Sequence, residues 1–100
     1  MKILDYIPRG QENAVSMADL AAAIGTDERT VRKIIEKARL EGAVIIGDNS
    51  GYYKPASRQE LEPYVHRIEK KARKILAAVG AGRRLLREMP GQQEIDLREV

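Results

Sequence analysis

Cysteine, tryptophan and phenylalanine are absent from this chain, and histidine occurs once. Without cysteine there is no disulfide framework, no thiolate nucleophile and no thiolate-held zinc. A single histidine excludes a His-rich metal site and leaves a Ser-His-Asp arrangement without support. Aromatic residues make up 4% of the chain, all tyrosine, so the core must be built from Ile, Leu, Val and Ala. No apolar run approaches the roughly 20 residues needed to span a bilayer. Asp5 interrupts the apolar start Met1–Tyr6, so no signal peptide is expected. No nucleophile–base pair, glycine-rich phosphate loop or ligand cluster stands at workable spacing. Asp5, Asp19 and Glu28 read as capping or solvated carboxylates. Neither an enzyme nor a cofactor is expected, and the reading begins as a cytoplasmic binding protein that does not engage membranes.

Charge is abundant and unevenly placed. Charged residues make up 33% of the 100-residue chain, with 18 basic and 15 acidic side chains. Residues 1–56 carry eight of each, residues 57–90 nine basic against four acidic, and residues 91–100 one against three. The basic excess follows one segment through Arg67, Lys70, Lys71, Arg73, Lys74, Arg83, Arg84 and Arg87. Such a stripe either neutralises phosphates or is the solvated face of a helix.

Capping residues and glycines punctuate the first half. Ile3, Leu4 and Ile7 share one side of a short helix that Pro8-Arg9-Gly10 stops. Ala14-Val15 is short and extended. Ser16-Met17-Ala18-Asp19 is a capping box in its Asp variant, and it opens a helix that Gly25 closes. Thr26 is the expected N-cap of the next helix, with Asp27 and Glu28 in its first turn, where negative charge is favoured. Val31, Ile34, Ile35 and Ala38 form its apolar stripe, and Gly42 ends it. Val44-Ile45-Ile46 and Tyr52-Tyr53-Lys54, flanking Gly47–Gly51, read as a β-hairpin.

Helix, short strand, helix, tight turn, helix and hairpin is the order of a helix-turn-helix with a wing. The residues resemble the winged helix-turn-helix family of DNA-binding proteins. Val15 to Gly25 looks like its first helix and turn. Thr26 to Ile35 looks like its recognition helix. Glu41 to Ile45, through Gly51 to Tyr53, looks like the wing. The resemblance covers roughly residues 1–55. A long basic helix appended to a minimal winged helix also resembles small proteins of bacterial prophages. The resemblance implies a second helix that enters the DNA major groove.

With the apolar stripe inward, steps of about 100° per residue put Arg29, Lys33 and Glu36 on the opposite face. Arg29 and Lys33 are one turn apart and are the expected base contacts, since Arg or Lys to guanine is the commonest specific pairing. Thr30 is short enough to touch a thymine methyl and joins them. Arg32 and Lys37 flank that face and suit phosphates, which position rather than specify. Asn49 and Ser50 at the wing tip and Lys54 at its base complete the phosphate set. The tip itself, with Asp48 opposing a phosphate and no Lys or Arg, reads first as structural turn chemistry. Tyr52 and Tyr53 point to opposite faces of their strand: one packs inward, and the other packs or stacks on a base.

Ser57-Arg58-Gln59-Glu60 is a second capping box. The helix it opens runs to Met89, unless it starts nearer Glu62 or kinks at Pro63. Leu61, Val65, Ile68, Ala72, Ile75, Val79, Gly82, Leu86 and Met89 alternate spacings of four and three, a heptad a/d pattern. A rod of that length is roughly 45 Å long, more than a 56-residue domain covers. The expectation is a homodimer through Leu61, Val65, Ile68, Ala72, Ile75, Val79, Leu86 and Met89. The alternative is a bend at Gly80-Ala81-Gly82, where each glycine costs about 1 kcal/mol of helix propensity. His66 falls off the seam.

The fold class is therefore mainly α with a small β-hairpin: a winged helix-turn-helix over 1–56, a long basic amphipathic dimerisation helix over 57–90, and a flexible polar tail over 91–100. The functional expectation is sequence-specific binding of double-stranded DNA as a homodimer, in transcriptional regulation or phage-type control or replication, on the bacterial nucleoid. The competing expectation is a protein–protein adaptor whose winged helix no longer binds DNA, with the tail Glu94–Val100 adding to a partner's sheet edge. RNA binding through the arginine-rich helix ranks last, because it has no use for the heptad.

Overall fold

The computed structural model describes residues 2–90. In chain order it has 3-10 turns at Ile3–Tyr6 and Gln11–Asn13, helices α1 (Met17–Ile24) and α2 (Glu28–Leu40), strands β1 (Ile46–Asp48) and β2 (Gly51–Tyr53), and helix α3 (Arg58–Glu88). The protein is mainly helical, with a two-stranded antiparallel hairpin and a long C-terminal helix. Two units divide the chain, one ending at Val65 and the other beginning at His66.

Local chemistry sets the ends of α1 and α2. Ser16 Oγ accepts the Asp19 amide at 3.0 Å and starts α1. Gly25, at φ 85°, ends it. The Thr26 amide then donates back to Ala21 O at 3.0 Å. Thr26 is thereby spent on closing α1, so the expected Thr26 cap is corrected to Asp27. Its carboxylate accepts the Thr30 amide at 2.7 Å, and its extended backbone (φ −90°, ψ 166°) suits a cap. The other end of α2 is a Schellman motif. Gly42 N–H donates to Arg39 O, and Ala43 N–H to Ala38 O at 2.9 Å.

The apolar stripe of α2 then meets the core. Val31 and Ile35 are buried with Ile3, Ile7, Leu20, Ala21 and Ile45, while Ile34 and Ala38 pack against that cluster half-buried. Each fully buried Val or Ile contributes about 1.5–3 kcal/mol. Among the described residues no polar or charged side chain is buried, so the charged faces are left at the surface.

The hairpin is tighter than its sequence implied. Ile46 pairs with Tyr53, Gly47 with Tyr52 and Asp48 with Gly51. The expected five-residue turn Gly47–Gly51 is therefore only Asn49-Ser50, because both glycines sit in the ladder. The first strand also starts later than Val44. The Ala43 amide is committed to the end of α2, and the Arg39 guanidinium takes Ile45 O through Nε at 3.0 Å and Nη2 at 2.7 Å. Val15 forms an antiparallel bridge with Tyr52, exchanging bonds of 2.8 and 3.0 Å. The extended Ala14-Val15 stretch thus lies along β2.

Ser57 Oγ accepts the Glu60 amide at 3.3 Å at the start of α3. The Glu60 carboxylate turns back to the Ala56 amide at 2.9 Å and to the Gln11 amide at 3.1 Å. Together with half-buried Leu61 and Tyr64, this explains why the first unit extends past residue 56 into α3. Pro63 lies inside the helix rather than at its start; it denies Gln59 O its i+4 donor without ending the helix. The helix is unbroken through Gly80 and Gly82, so the bend left open by the sequence does not occur.

Candidate nucleic-acid interface

The solvent face of α2 gathers the predicted base contacts. Arg29, Thr30 and Lys33 are all exposed, as are Arg32, Lys37 and Glu36. The amphipathic pattern leaves them there: burying Val31 and Ile35 turns the opposite side to water. Asp27 stands at the head of this face. The backbone N–H of Thr30 holds its carboxyl below the usual carboxylate range, helped by the Thr30 hydroxyl and more weakly by the Lys33 ammonium. Thr30 is thus engaged with the cap through both its amide and its hydroxyl.

Arg32 and Lys37 lie on α2 to either side of this face. Lys37 also lines an open groove of about 530 Å³, with Lys2, Ile3, Leu4, Ile34, Ala38 and Glu41 among its walls. The groove brings an apolar floor together with two ammonium groups and a carboxylate.

The hairpin tip is a knot of internal hydrogen bonds. Asp48 Oδ1 accepts the Ser50 amide at 2.8 Å, forming an Asx turn. Asp48 Oδ2 accepts the Tyr53 hydroxyl at 2.7 Å and Gln11 Nε2 at 3.3 Å. Gln11 Nε2 also lies 3.3 Å from Ser50 Oγ. Ser50 is thereby tied to the protein's own framework, while Asn49 is exposed at the turn. Tyr53 is buried, and Tyr52 is half-buried against the core. Tyr53 is therefore the inward-packing tyrosine, while Tyr52 keeps part of its ring at the surface.

Lys54 stands apart from the others. It is half-buried, and its ammonium donates to Leu4 O at 3.2 Å. A phosphate at this position would have to replace that bond. Gln11 and Arg39 are the residues that sequence reasoning missed. Gln11 fixes the hairpin tip from 37 positions away, a distance at which no local pattern signals a partner. Arg39 reaches Ile45 O, a carbonyl beyond the end of α2, so its place in the last helical turn did not reveal its partner.

The predicted seam of α3 is displayed rather than packed. No residue of α3 is buried. Val65, Ile68, Ile75, Val79, Leu86 and Met89 are exposed, together with Leu76 and Leu85; Ala72 is exposed as well, and Leu61 is half-buried. Among the described residues no helix is long and apolar enough to cross a membrane. The alternating tail Glu94–Val100 lies outside the described residues. Comparison with protein-family models, curated proteins and solved structures finds no match to this chain.

Proposed function

We propose that the protein is a winged helix-turn-helix binder of double-stranded DNA that acts as a homodimer. The observation that carries the reading is the outward face of α2. Arg29 and Lys33 stand one turn apart and exposed on a helix whose other side is locked into the core. They serve as base-reading groups, with Thr30 beside them, while Arg32 and Lys37 meet phosphates. Asn49 is the hairpin's remaining phosphate donor, with Ser50 and Lys54 in reserve behind internal bonds. Residues 1–56 carry no net charge, so that segment alone has little electrostatic pull on DNA. Pairing through the α3 seam supplies a second recognition helix, and the basic stripe of α3 supplies phosphate attraction. A regulator of transcription, or a phage-type control or replication factor on the bacterial nucleoid, is the role this assembly fits.

Selection of bound duplexes from a random pool, with the full chain, tests the reading. A pseudo-palindromic consensus that binds more tightly than bulk DNA, with affinity falling steeply in salt, is the expected result. No enrichment over the starting pool at low salt overturns it.

The groove beside Lys37 favours a second reading, a protein adaptor. Its apolar floor, with charges of both signs among its walls, suits a short amphipathic peptide segment. An adaptor shows no affinity for random duplex even at low salt.

A further inference from the structure

The apolar face of α3 within the second unit has an order that specifies its partner. From residue 68 to residue 86 the seam runs Ile68, Ala72, Ile75, Val79, Gly82, Leu86. By size this is large, small, large, large, small, large, the same from either end. Its large members are exposed, and Ile75 and the neighbouring Leu76 are 59% and 67% accessible. A Cβ at Gly82 would meet nothing within 4 Å in the chain itself. Nothing internal therefore demands a glycine there.

We propose that this segment of α3 pairs with the same segment of a second copy in antiparallel orientation, about a two-fold axis beside Ala77. This deepens the homodimer proposed above and rests on it, but it does not depend on DNA binding. The register puts Ile68 on Leu86 of the second copy, Ala72 on Gly82 and Ile75 on Val79, each layer occurring twice. Large residues then face large ones and small residues small ones, as they also do in an in-register parallel pair, so size sets the register and not the direction. Slipping by one heptad sets Gly82 against Val65 or Val79 and destroys the match.

Charge fixes the direction. Glu69, Leu76 and Arg83 each follow a seam residue and flank it on one side. In an antiparallel pair this flank faces its own copy running the other way. Glu69 of each chain meets Arg83 of the other, and Leu76 meets Leu76 across the axis. Parallel pairing instead sets Glu69 beside Tyr64, Leu76 beside Lys71 and Arg83 beside Ala78, with no opposite charges adjacent. Flanking charges of this kind set the orientation of helix pairs. On the side away from the seam, Lys70, Arg73, Lys74, Arg84 and Arg87 remain outward in both copies.

Spin labels on single cysteines test the arrangement in the full chain, which has no cysteine of its own. Substitutions His66→Cys, Lys74→Cys and Glu88→Cys all fall on exposed positions. Antiparallel pairing separates the mates along the axis by about 33 Å at 66 and 88, and by about 9 Å at 74. Parallel pairing gives all three a similar separation. A charge exchange provides a second readout, the dimer dissociation constant from sedimentation equilibrium. Glu69→Arg weakens the dimer about tenfold, and Glu69→Arg with Arg83→Glu restores it. A dimeric mass with equal distances, or without restoration, overturns the antiparallel register alone. A monomeric mass at all concentrations overturns the homodimer as well.

Discussion

Glu60 accepts the Gln11 amide at 3.1 Å across 49 positions of sequence. The same carboxylate holds the Ala56 amide at 2.9 Å. One side chain in the first turn of α3 thus satisfies two backbone donors outside that helix, one of them in the second 3-10 turn. Carboxylate–amide bonds of this kind are charge-assisted. Glu60→Ala should cost about 1 kcal/mol, lowering the melting temperature by roughly 4–8 °C in a domain this small. Glu60→Gln keeps one acceptor oxygen and should fall between. An unchanged melt for Glu60→Ala would show that water replaces the carboxylate at no cost.

Gly51 has φ +119°, and a Cβ there would lie 2.6 Å from Val15 O. That carbonyl accepts the Tyr52 amide at 2.8 Å, so it cannot retreat without breaking the bridge. Gly51→Ala should therefore destabilise the fold by about 1–3 kcal/mol. Gly80→Ala is the contrast. It falls inside α3, where a Cβ meets nothing within 4 Å, and it should add about 1 kcal/mol of helix stability. Denaturant unfolding of the two variants should move in opposite directions.

What the sequence made legible was local. Ser16 and Ser57 cap helices because their partners lie three residues away. The α2 stripe was readable from its period, and its exposed Arg29–Lys33 face followed from the same period. Thr26 misled because two adjacent residues can each cap a helix. The bond from Thr26 N–H back to Ala21 O, which belongs to the preceding helix, decides between them. Gly47 and Gly51 read as a loop because glycine is commonest there, yet both are paired residues of the ladder. The bond from Lys54 to Leu4 O was not legible, because it spans 50 positions. The bond from the Gln11 amide to Glu60, 49 positions away, was opaque for the same reason, although Glu60 itself was legible as part of a capping box. The α3 seam was legible as a pattern, since a heptad is itself a local repeat.

Asp27 ties stability to pH. Its ordinary pKa of 3.8 is lowered in the folded protein, chiefly by the Thr30 backbone N–H. A depressed carboxyl pKa contributes stability that is fully present above the unfolded value and lost as pH falls through the folded one. The wild type should therefore melt higher than Asp27→Asn at neutral pH. The gap should hold down to about pH 4 and close below it, because asparagine accepts the Thr30 amide without titrating. Thermal melts of both proteins across the acid range would check this. A gap that does not change with pH would mean the charge contributes nothing to the cap.

If the protein binds DNA as proposed, Arg29 and Lys74 should separate specificity from attraction. Arg29 stands on the α2 face proposed to read bases, and Lys74 on the outward basic side of α3. Arg29→Ala should cost about 1–3 kcal/mol on a selected site and little on random duplex, relaxing preference at one position in each half-site. Lys74→Ala should weaken both duplexes alike and lower the salt slope by about 1 for each phosphate left without its ammonium. Titrations of both variants against selected and random duplex, at several salt concentrations, would show which side chain does which. Equal losses on both duplexes for Arg29→Ala would place that arginine on the phosphate backbone. The reading face of α2 would then have to be sought around Thr30 and Lys33.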